Sequence, residues 1–362
     1  MRMSSFKSNC SNPKIQVFIL QQWNYIKTDH SKSLYFTKKK SLISLLMELK
    51  GKVLKSTGKW YIVELINGEI IDCRVRGKIR LQEGLRATNP ITVGDEVMLM
   101  PGRDEEGKAV IAEVLTRKNY IARKSTNLSK QIQLLAANID QAYLMITLKS
   151  PETHLAFIDR FLVSAESFRV PVTILINKSD TYTEDELEYA DALKFLYEGV
   201  GYPCFKICAT DESDVLFLRE EIKGKQVMIS GHSGVGKTTL VNQLDASLTL
   251  KTGVISTYHQ QGQHTTTFAE MHALASGGYI IDTPGIRAFG LIDLDKEVIS
   301  HYFPEMRLMI GSCKFHNCQH INEPLCAVKN AIEEGIISTS RYQTYVQLMT
   351  EDENDVHRKK EY

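Results

Sequence analysis

Two short motifs stand in this 362-residue chain in an order that sharply restricts its fold. The first, Asn177-Lys178-Ser179-Asp180, follows an apolar run over 172–176. The second, Gly231-His232-Ser233-Gly234-Val235-Gly236-Lys237-Thr238, follows another apolar run over 226–230 and precedes a helical stretch over 237–244. A strand, then Gly-x4-Gly-Lys-Thr, then a helix is the setting in which backbone N–H groups wrap a phosphate. In domains that carry both motifs the phosphate loop ordinarily comes first and the Asn-Lys-x-Asp turn near the end. The reversed order predicts an α/β domain whose chain has been circularly permuted.

Each motif asks for particular chemistry. The Lys237 ammonium is expected at the β- and γ-phosphates as part of the catalytic set, and the Thr238 hydroxyl on Mg²⁺, with Thr239 beside it in the nucleotide-binding set. The Asp180 carboxylate can accept from the N1–H and the exocyclic amine of guanine, a pair that adenine cannot offer. Ile207-Cys208-Ala209-Thr210 stands where a second base-contacting loop is expected, with Cys208 and Ala209 contributing backbone N–H groups. Asp282-Thr283-Pro284-Gly285 follows the apolar run 279–281, 45 residues past Lys237. There Asp282 would act on the metal and the Gly285 N–H on the γ-phosphate. Between the two lies Gly262-Gln263-His264-Thr265-Thr266-Thr267, from which Thr266 is chosen to complete the Mg²⁺ shell. Ile286 occupies the position where a water-orienting glutamine usually follows, so His264 is the replacement chosen to orient or deprotonate water. These residues together spell a P-loop GTPase.

The remainder of the chain divides by periodicity. Short β-branched or aromatic runs over 53–57, 59–65, 69–75, 95–100 and 108–115 are separated by turns at Asn67-Gly68 and Pro101-Gly102. Five such strands suggest a small barrel of the OB type. Lys52, Lys55, Lys59, Arg74, Arg76, Lys78, Arg80 and Arg86 lie along it with Trp60 and Tyr61, which suits an RNA-binding surface. A solvated barrel face with Trp60 in the core is the plainer alternative. From residue 139 continuous apolar runs over 141–147, 172–176, 226–230 and 279–281 alternate with helical stretches over 155–168, 184–197, 214–221 and 237–244, the pattern of a buried parallel sheet. The expected boundaries are a basic extension over 1–46, a barrel over 47–123, the permuted GTPase domain over 124–290, and a helical zinc-binding domain over 291–362.

Cys313-x4-Cys318-x-His320-x5-Cys326 places three thiols and an imidazole within 14 residues. That donor set suits tetrahedral Zn²⁺ with no open position, hence a structural site; His316 is a weaker ligand candidate. The other cysteines, Cys10, Cys73, Cys204 and Cys208, read as unrelated thiols, and the seven together do not form a disulfide framework. The extension holds eight Lys/Arg against Asp29 alone and has no clear signal-peptide core, so it reads as disordered or as an over-called start. No apolar run approaches the ~18 residues of a membrane span. A cytoplasmic monomer is expected, with import into an organelle as the lesser alternative.

From residue 48 to the C-terminus the chain resembles the ribosome small-subunit-dependent GTPase A family of circularly permuted GTPases. The resemblance is carried by the barrel, the motifs above and the zinc cluster continuing through His320-Ile321-Asn322-Glu323-Pro324. His232 and Thr238 depart from the residues commoner in that family. The resemblance implies a late assembly factor of the small ribosomal subunit, gripping rRNA and hydrolysing GTP slowly until the subunit stimulates it. Two other readings stay open: a nucleotide-switched RNA-binding module with incidental turnover, and a metallochaperone-type GTPase. Permutation also tethers the zinc-bearing segment to the switch ending at Ile286, 27 residues before Cys313, which suggests that nucleotide state repositions it.

Overall fold

The computed structural model describes residues 49–75, 87, 89–124, 132–248, 269–282 and 295–351, with the side chains of Arg123, Lys124 and Asp282 excepted. The basic extension over 1–46 and the barrel residues Arg76, Lys78, Arg80 and Arg86 lie outside the described residues. Those described form two compact units: one takes in residues up to 139 together with 269–273 and 280–282, the other 140–248, 274–279 and 295–351.

In the first unit, β1 (Lys50–Ser56) buries Gly51 and Val53, then Leu54 and Ser56. The change of face is a bulge between Val53 and Lys55, which lets one strand serve two neighbours in turn. β2 (Trp60–Leu65) and β3 (Ile70–Val75) continue antiparallel, and β4 (Glu96–Arg103) pairs antiparallel with β5 (Ala109–Val114). β5 runs parallel to β3, and β4 returns to β1 through Gly51 opposite Val97, which closes a five-stranded OB-like barrel. Only a glycine fits at that closure, because a Cβ on Gly51 would stand 2.4 Å from Val63 Cγ1. Val53, Tyr61, Val63, Cys73, Ile91, Val97, Leu99 and Ile111 fill the interior. The strand Glu270–Ala273 joins the free half of β1, Lys55 opposite Glu270.

Two expectations for the barrel need correction. Pro101 and Gly102 do not turn the chain; they lie in the irregular end of β4. Asp104 makes the turn instead, its Oδ1 accepting from the N–H groups of Glu106 and Lys108 at 2.9 Å each. Trp60 is not in the core but 47% exposed, with Lys108 Nζ 6.0 Å from its ring centre. Beyond the barrel a hairpin of β6 (Tyr120–Lys124) and β7 (Ile132–Ala137) forms a second small sheet, unforeseen in the sequence. Buried polar groups join it to the barrel: Arg117 donates to Asp95 at 2.6 and 2.7 Å and to the Pro90 carbonyl at 2.8 Å, and Asn138 Nδ2 donates to the Gly94 carbonyl.

The second unit is built on parallel strands β8 (Gln141–Ile146), β9 (Val172–Ile176), β10 (Cys204–Lys206) and β11 (Gln226–Ser230), in the order β10-β9-β8-β11. β9 is buried along its whole length, which is why it reads as an unbroken apolar run. The connecting helices are α1 (Leu155–Ser167), α2 (Glu184–Gly199), α3 (Glu212–Ile222) and α4 (Lys237–Leu244). A Thr183/Glu186 capping box starts α2, and Asp211 caps α3. Burial pushes the Cys204 thiol of β10 up to about 12, as it does for Cys73 in the barrel, so both are inert core thiols. No described helix is long and apolar enough to cross a membrane.

The same unit contains a 3₁₀ segment Lys296–Tyr302 and helices α5 (Pro304–Arg307), α6 (Ala327–Glu333) and α7 (Thr339–Thr350). Ile299, Phe303, Met306, Val328, Tyr345 and Leu348 share a core with Val163 of α1. Beside it Arg341 of α7 is fully buried, donating to Asp159 of α1 at 2.7 Å and to both carboxylate oxygens of Glu305 at 2.5 and 3.1 Å. Thr344 and Tyr197 complete the hydrogen bonding of Asp159 at 2.9 and 3.2 Å. Burial alone would weaken the arginine charge, but Asp159 and Glu305 more than offset it, and its pKa is raised. Exposed or half-buried pairs, Arg160 with Glu351 and Arg307 with Glu166, flank the triad. A buried triad adds little net stability over an apolar one, yet removing its cation strands two carboxylates. Arg341→Met is therefore expected to lower the unfolding free energy by about 3–5 kcal/mol, measured by urea denaturation. Adding Asp159→Asn and Glu305→Gln should restore part of that loss.

Candidate nucleotide site and metal centre

The phosphate-loop residues link β11 to α4, and steric demand explains their glycines. Gly231 has φ of +142°, and a Cβ there would lie 2.2 Å from the Met145 carbonyl of β8. Gly236, the N-cap of α4, has φ of +105°, and its Cβ would lie 2.4 Å from Asn177 Nδ2. A glycine N-cap offers no side chain to the first N–H groups of the helix, which suits an anion at that end. Lys237 Nζ curls back over the loop and donates to the carbonyls of Gly231 at 2.8 Å and His232 at 2.5 Å. Ser233 and Gly234 are exposed, Val235 is buried, and Thr238 and Thr239 are half-buried in the first turn of α4. The His232 ring packs on Phe157 of α1, centroids 3.7 Å apart, and its pKa is lowered by burial, by Lys237 and by His154.

Asn177 brings the separated motifs together. Its buried amide donates from Nδ2 to the Val235 carbonyl at 2.7 Å and accepts at Oδ1 from the Ala209 N–H at 2.9 Å. Lys178, in the left-handed region with φ of +66°, sends Nζ to the Ser150 carbonyl at 2.6 Å. Ser179–Thr181 form a 3₁₀ turn on which Asp180 is exposed. The backbone N–H groups of Cys208 and Ala209, expected at the base, are instead taken by protein acceptors. That of Cys208 donates to Asp214 of α3 at 2.7 Å and that of Ala209 to Asn177, while Cys208 Sγ lies 3.1 Å from Thr210 Oγ1. Phosphate loop, Asn-Lys-Ser-Asp turn and Cys208-Ala209 loop thus meet at the C-terminal ends of the parallel strands, where such sheets bind ligands. His264, Thr265, Thr266, Thr267 and Gly285 lie outside the described residues. Asp282 ends the strand Tyr279–Asp282, with its side chain likewise outside the description.

Sequence reasoning overlooked the loop 147–153, between β8 and α1, and Tyr182. Pro151 Cδ stands 3.3 Å from where a Gly234 Cβ would be, and Ser150 receives Lys178. Neither residue has a composition or spacing that would have drawn notice. The order of the elements could have drawn attention to the loop, since it leaves the sheet between the strands that bear the two motifs.

In the C-terminal segment the ligand atoms of Cys313, Cys318, His320 and Cys326 all lie within 4.8 Å of one another. His320 Nδ1 is 3.5 Å from Cys313 Sγ and 3.4 Å from Cys326 Sγ, and those two sulfurs are 4.0 Å apart. Tetrahedral zinc at ordinary bond lengths requires edges of about 3.5–3.8 Å, so the donors fit a metal ion bound through Nδ1. Burial lowers the His320 pKa, favouring the neutral ligand form, and burial with the neighbouring thiols pushes Cys318 up to about 12. Glu323 shapes the knuckle by accepting from the N–H groups of Gln319, Ile321 and Asn322 at 2.8, 3.0 and 3.1 Å. Tyr342 and Tyr345 hold the carbonyls of His320 and Gln319 at 2.7 and 2.6 Å, and His316 is exposed outside the group.

Comparison with known proteins matches the barrel and the α/β segment to two family models. A family model described as the RsgA N-terminal domain matches residues 50–111, and one described as the RsgA GTPase matches residues 114–292. A small ribosomal subunit biogenesis GTPase RsgA from Bacteroides fragilis is 52% identical over 310 residues, 86% of this chain and 99% of that one. Its namesake from Christiangramia forsetii is 49% identical over 315 residues, 87% of this chain and 99% of the other. Among solved structures, YjeQ from Thermotoga maritima is similar with a TM-score of 0.66 and 37% identity, over 83% of this chain and 96% of its own. YloQ, described as a circularly permuted GTPase, has a TM-score of 0.63 and 27% identity, over 86% and 96%.

The crowding at Gly236 gives a direct test. Gly236→Ala adds a methyl group against Asn177 in a conformation that alanine avoids, so it should abolish detectable binding of a fluorescent guanine nucleotide. Ala substitution at Gly107, which is also left-handed with φ of +74° but has open space around it, carries the backbone strain without the clash and should leave that binding intact.

Proposed function

The chain belongs to the RsgA GTPase family, and on that premise we propose that it hydrolyses GTP as an assembly factor of the small ribosomal subunit. The observation that carries the reading is the bridge made by Asn177, which joins a phosphate loop to a base-reading turn placed upstream of it. Names of the relatives supply the subunit; the residues supply the chemistry. Lys237 holds the β- and γ-phosphates, backbone N–H groups of the loop from Gly231 to Thr239 cradle them, and Asp180 reads the guanine edge. Cys208 and Ala209 wall the base on the side held by Asn177. Magnesium, on Thr238, Thr266 and Asp282, would neutralise charge between the phosphates. Thr238, half-buried one residue past Lys237, is the member of that set whose side chain the structure describes.

His264 orients the attacking water, and the Gly285 N–H meets the γ-phosphate. With Ile286 in place of a glutamine, turnover by the free protein is expected to be slow, rising when the subunit orders the segment bearing His264. The barrel and the zinc knuckle grip rRNA. A structural zinc on Cys313, Cys318, His320 and Cys326 fixes the knuckle; a closed set of four protein ligands disfavours metal delivery. The protein acts as a monomer in the cytoplasm.

Phosphate release under multiple turnover, with and without small subunits, tests this reading. Stimulation of at least tenfold is expected, and His264→Ala should lose it while keeping GTP affinity within about twofold. Equal rates in both conditions would instead favour an RNA-binding module with incidental turnover. Elemental analysis of the purified protein should give one zinc per chain, and Cys318→Ser should lower both zinc content and melting temperature.

A further inference from the structure

The Asn177–Tyr182 segment has to present Asp180 at one fixed place, yet its own backbone is poorly suited to hold itself there. Lys178 sits in the left-handed region, which a lysine does not favour, and the 3₁₀ turn after it is a single turn long. The hydroxyl of Tyr182 restrains both ends. It donates to the Asn177 carbonyl at 2.5 Å, spanning the turn 178–181 that carries Asp180, and accepts from the Leu148 N–H at 2.9 Å. Tyr182 is 8% exposed, and burial raises its pKa, so the hydroxyl keeps the proton that it donates. Lys149 lies 5.7 Å over its ring and pairs with Glu186 of the α2 capping box at 2.6 Å. The loop it reaches is itself braced: Thr147 Oγ1 donates to the Pro151 carbonyl at 2.5 Å, and Thr153 Oγ1 accepts from the Thr147 N–H at 3.2 Å.

We propose that Tyr182 is a positioning residue for base recognition: its hydroxyl clamps the Asp180 turn closed and ties it to the loop leaving β8. Because Asn177 also holds the phosphate loop and the Cys208-Ala209 loop, the clamp sets the distance between the base-reading carboxylate and the phosphate cradle. The inference rests on the GTP reading given above. Tyr182→Phe removes both hydrogen bonds and keeps the ring, leaving Asp180 chemically intact on a looser turn.

The test uses the full-length chain and compares GTP with inosine triphosphate, which lacks the exocyclic amine that Asp180 is expected to bind. Tyr182→Phe should narrow the kcat/KM preference for GTP over ITP by about tenfold, the scale of a lost buried hydrogen bond, with the change falling in KM. Tyr202→Phe serves as the structural control. Tyr202 donates to Glu166 at 3.3 Å elsewhere in the same unit, so its variant should move the melting temperature and leave the preference alone. A Tyr182→Phe protein with the wild-type preference, or a Tyr202→Phe protein that loses preference equally, would overturn the clamp. A wild-type protein that does not distinguish GTP from ITP would instead overturn the reading of Asp180 as the carboxylate that binds the guanine edge, and does so before any variant is compared.

Discussion

One buried amide holds the candidate nucleotide site together. Asn177 stands at the end of β9, its Nδ2 on the Val235 carbonyl and its Oδ1 on the Ala209 N–H. A carboxylate there could not donate, and a hydrocarbon would leave two buried backbone groups unpaired, each at a cost of roughly 1–3 kcal/mol. Gly236 follows from it, because any Cβ at that position would occupy the space of the amide. The bridge is indifferent to chain order. It joins loops from β9, β10 and β11, and the parallel sheet brings those loops to one edge whichever of them is translated first. Circular permutation is therefore tolerable, because it leaves these three loops together at one edge of the sheet.

The second constraint concerns α1. Its Phe157 packs on His232 of the phosphate loop, while Asp159 two residues on is locked to Arg341, which also holds Glu305. Arg160 and Glu166 add pairs to Glu351 and Arg307. The helices that flank the Cys/His cluster are thus fastened to a helix that borders the phosphate loop. This sharpens the expectation that nucleotide state repositions the zinc-bearing segment through its tether at Ile286. Breaking the triad would expose or strand buried charge, at several kcal/mol. Movement of the knuckle as a free body is the costly outcome, and movement of α1 together with α5 and α7 the cheap one.

Legibility in the sequence followed the range of the interactions. The phosphate loop could be read because its glycines answer a local steric demand, and Cys313 to Cys326 because four metal-type donors fall within one short segment. β8, β9 and β11 showed as apolar runs, since burial on both faces removes alternation. β10 was invisible: three residues at a sheet edge make no run. The β6–β7 hairpin was hidden for a different reason: it is joined to the barrel through Arg117, Asp95 and Asn138, polar residues that look like surface until their partners are known. Arg341 misleads in the same way, being charged in sequence and fully buried in the fold. Pro101-Gly102 had the composition of a turn, but the carboxylate of Asp104 placed the reversal further on.

Tyr182 and the loop 147–153 show what permutation does to this architecture. β8 is the strand by which the chain enters the second unit, and it is paired in register with β9 on one side and β11 on the other. Six residues of extended chain, about 20 Å, separate that entry from a loop that touches both the phosphate loop and the base-reading turn. Paired on both sides and buried beyond Gln141, β8 cannot slide by less than a whole register step without breaking both ladders. Influence reaching the nucleotide from this end of the chain must then travel by rearranging the loop itself, and the loop has few ways to rearrange. Leu148 is held by Tyr182, Ser150 by Lys178, and Thr147 and Thr153 by each other. The segment nearest the domain entrance is therefore a rigid wall of the site.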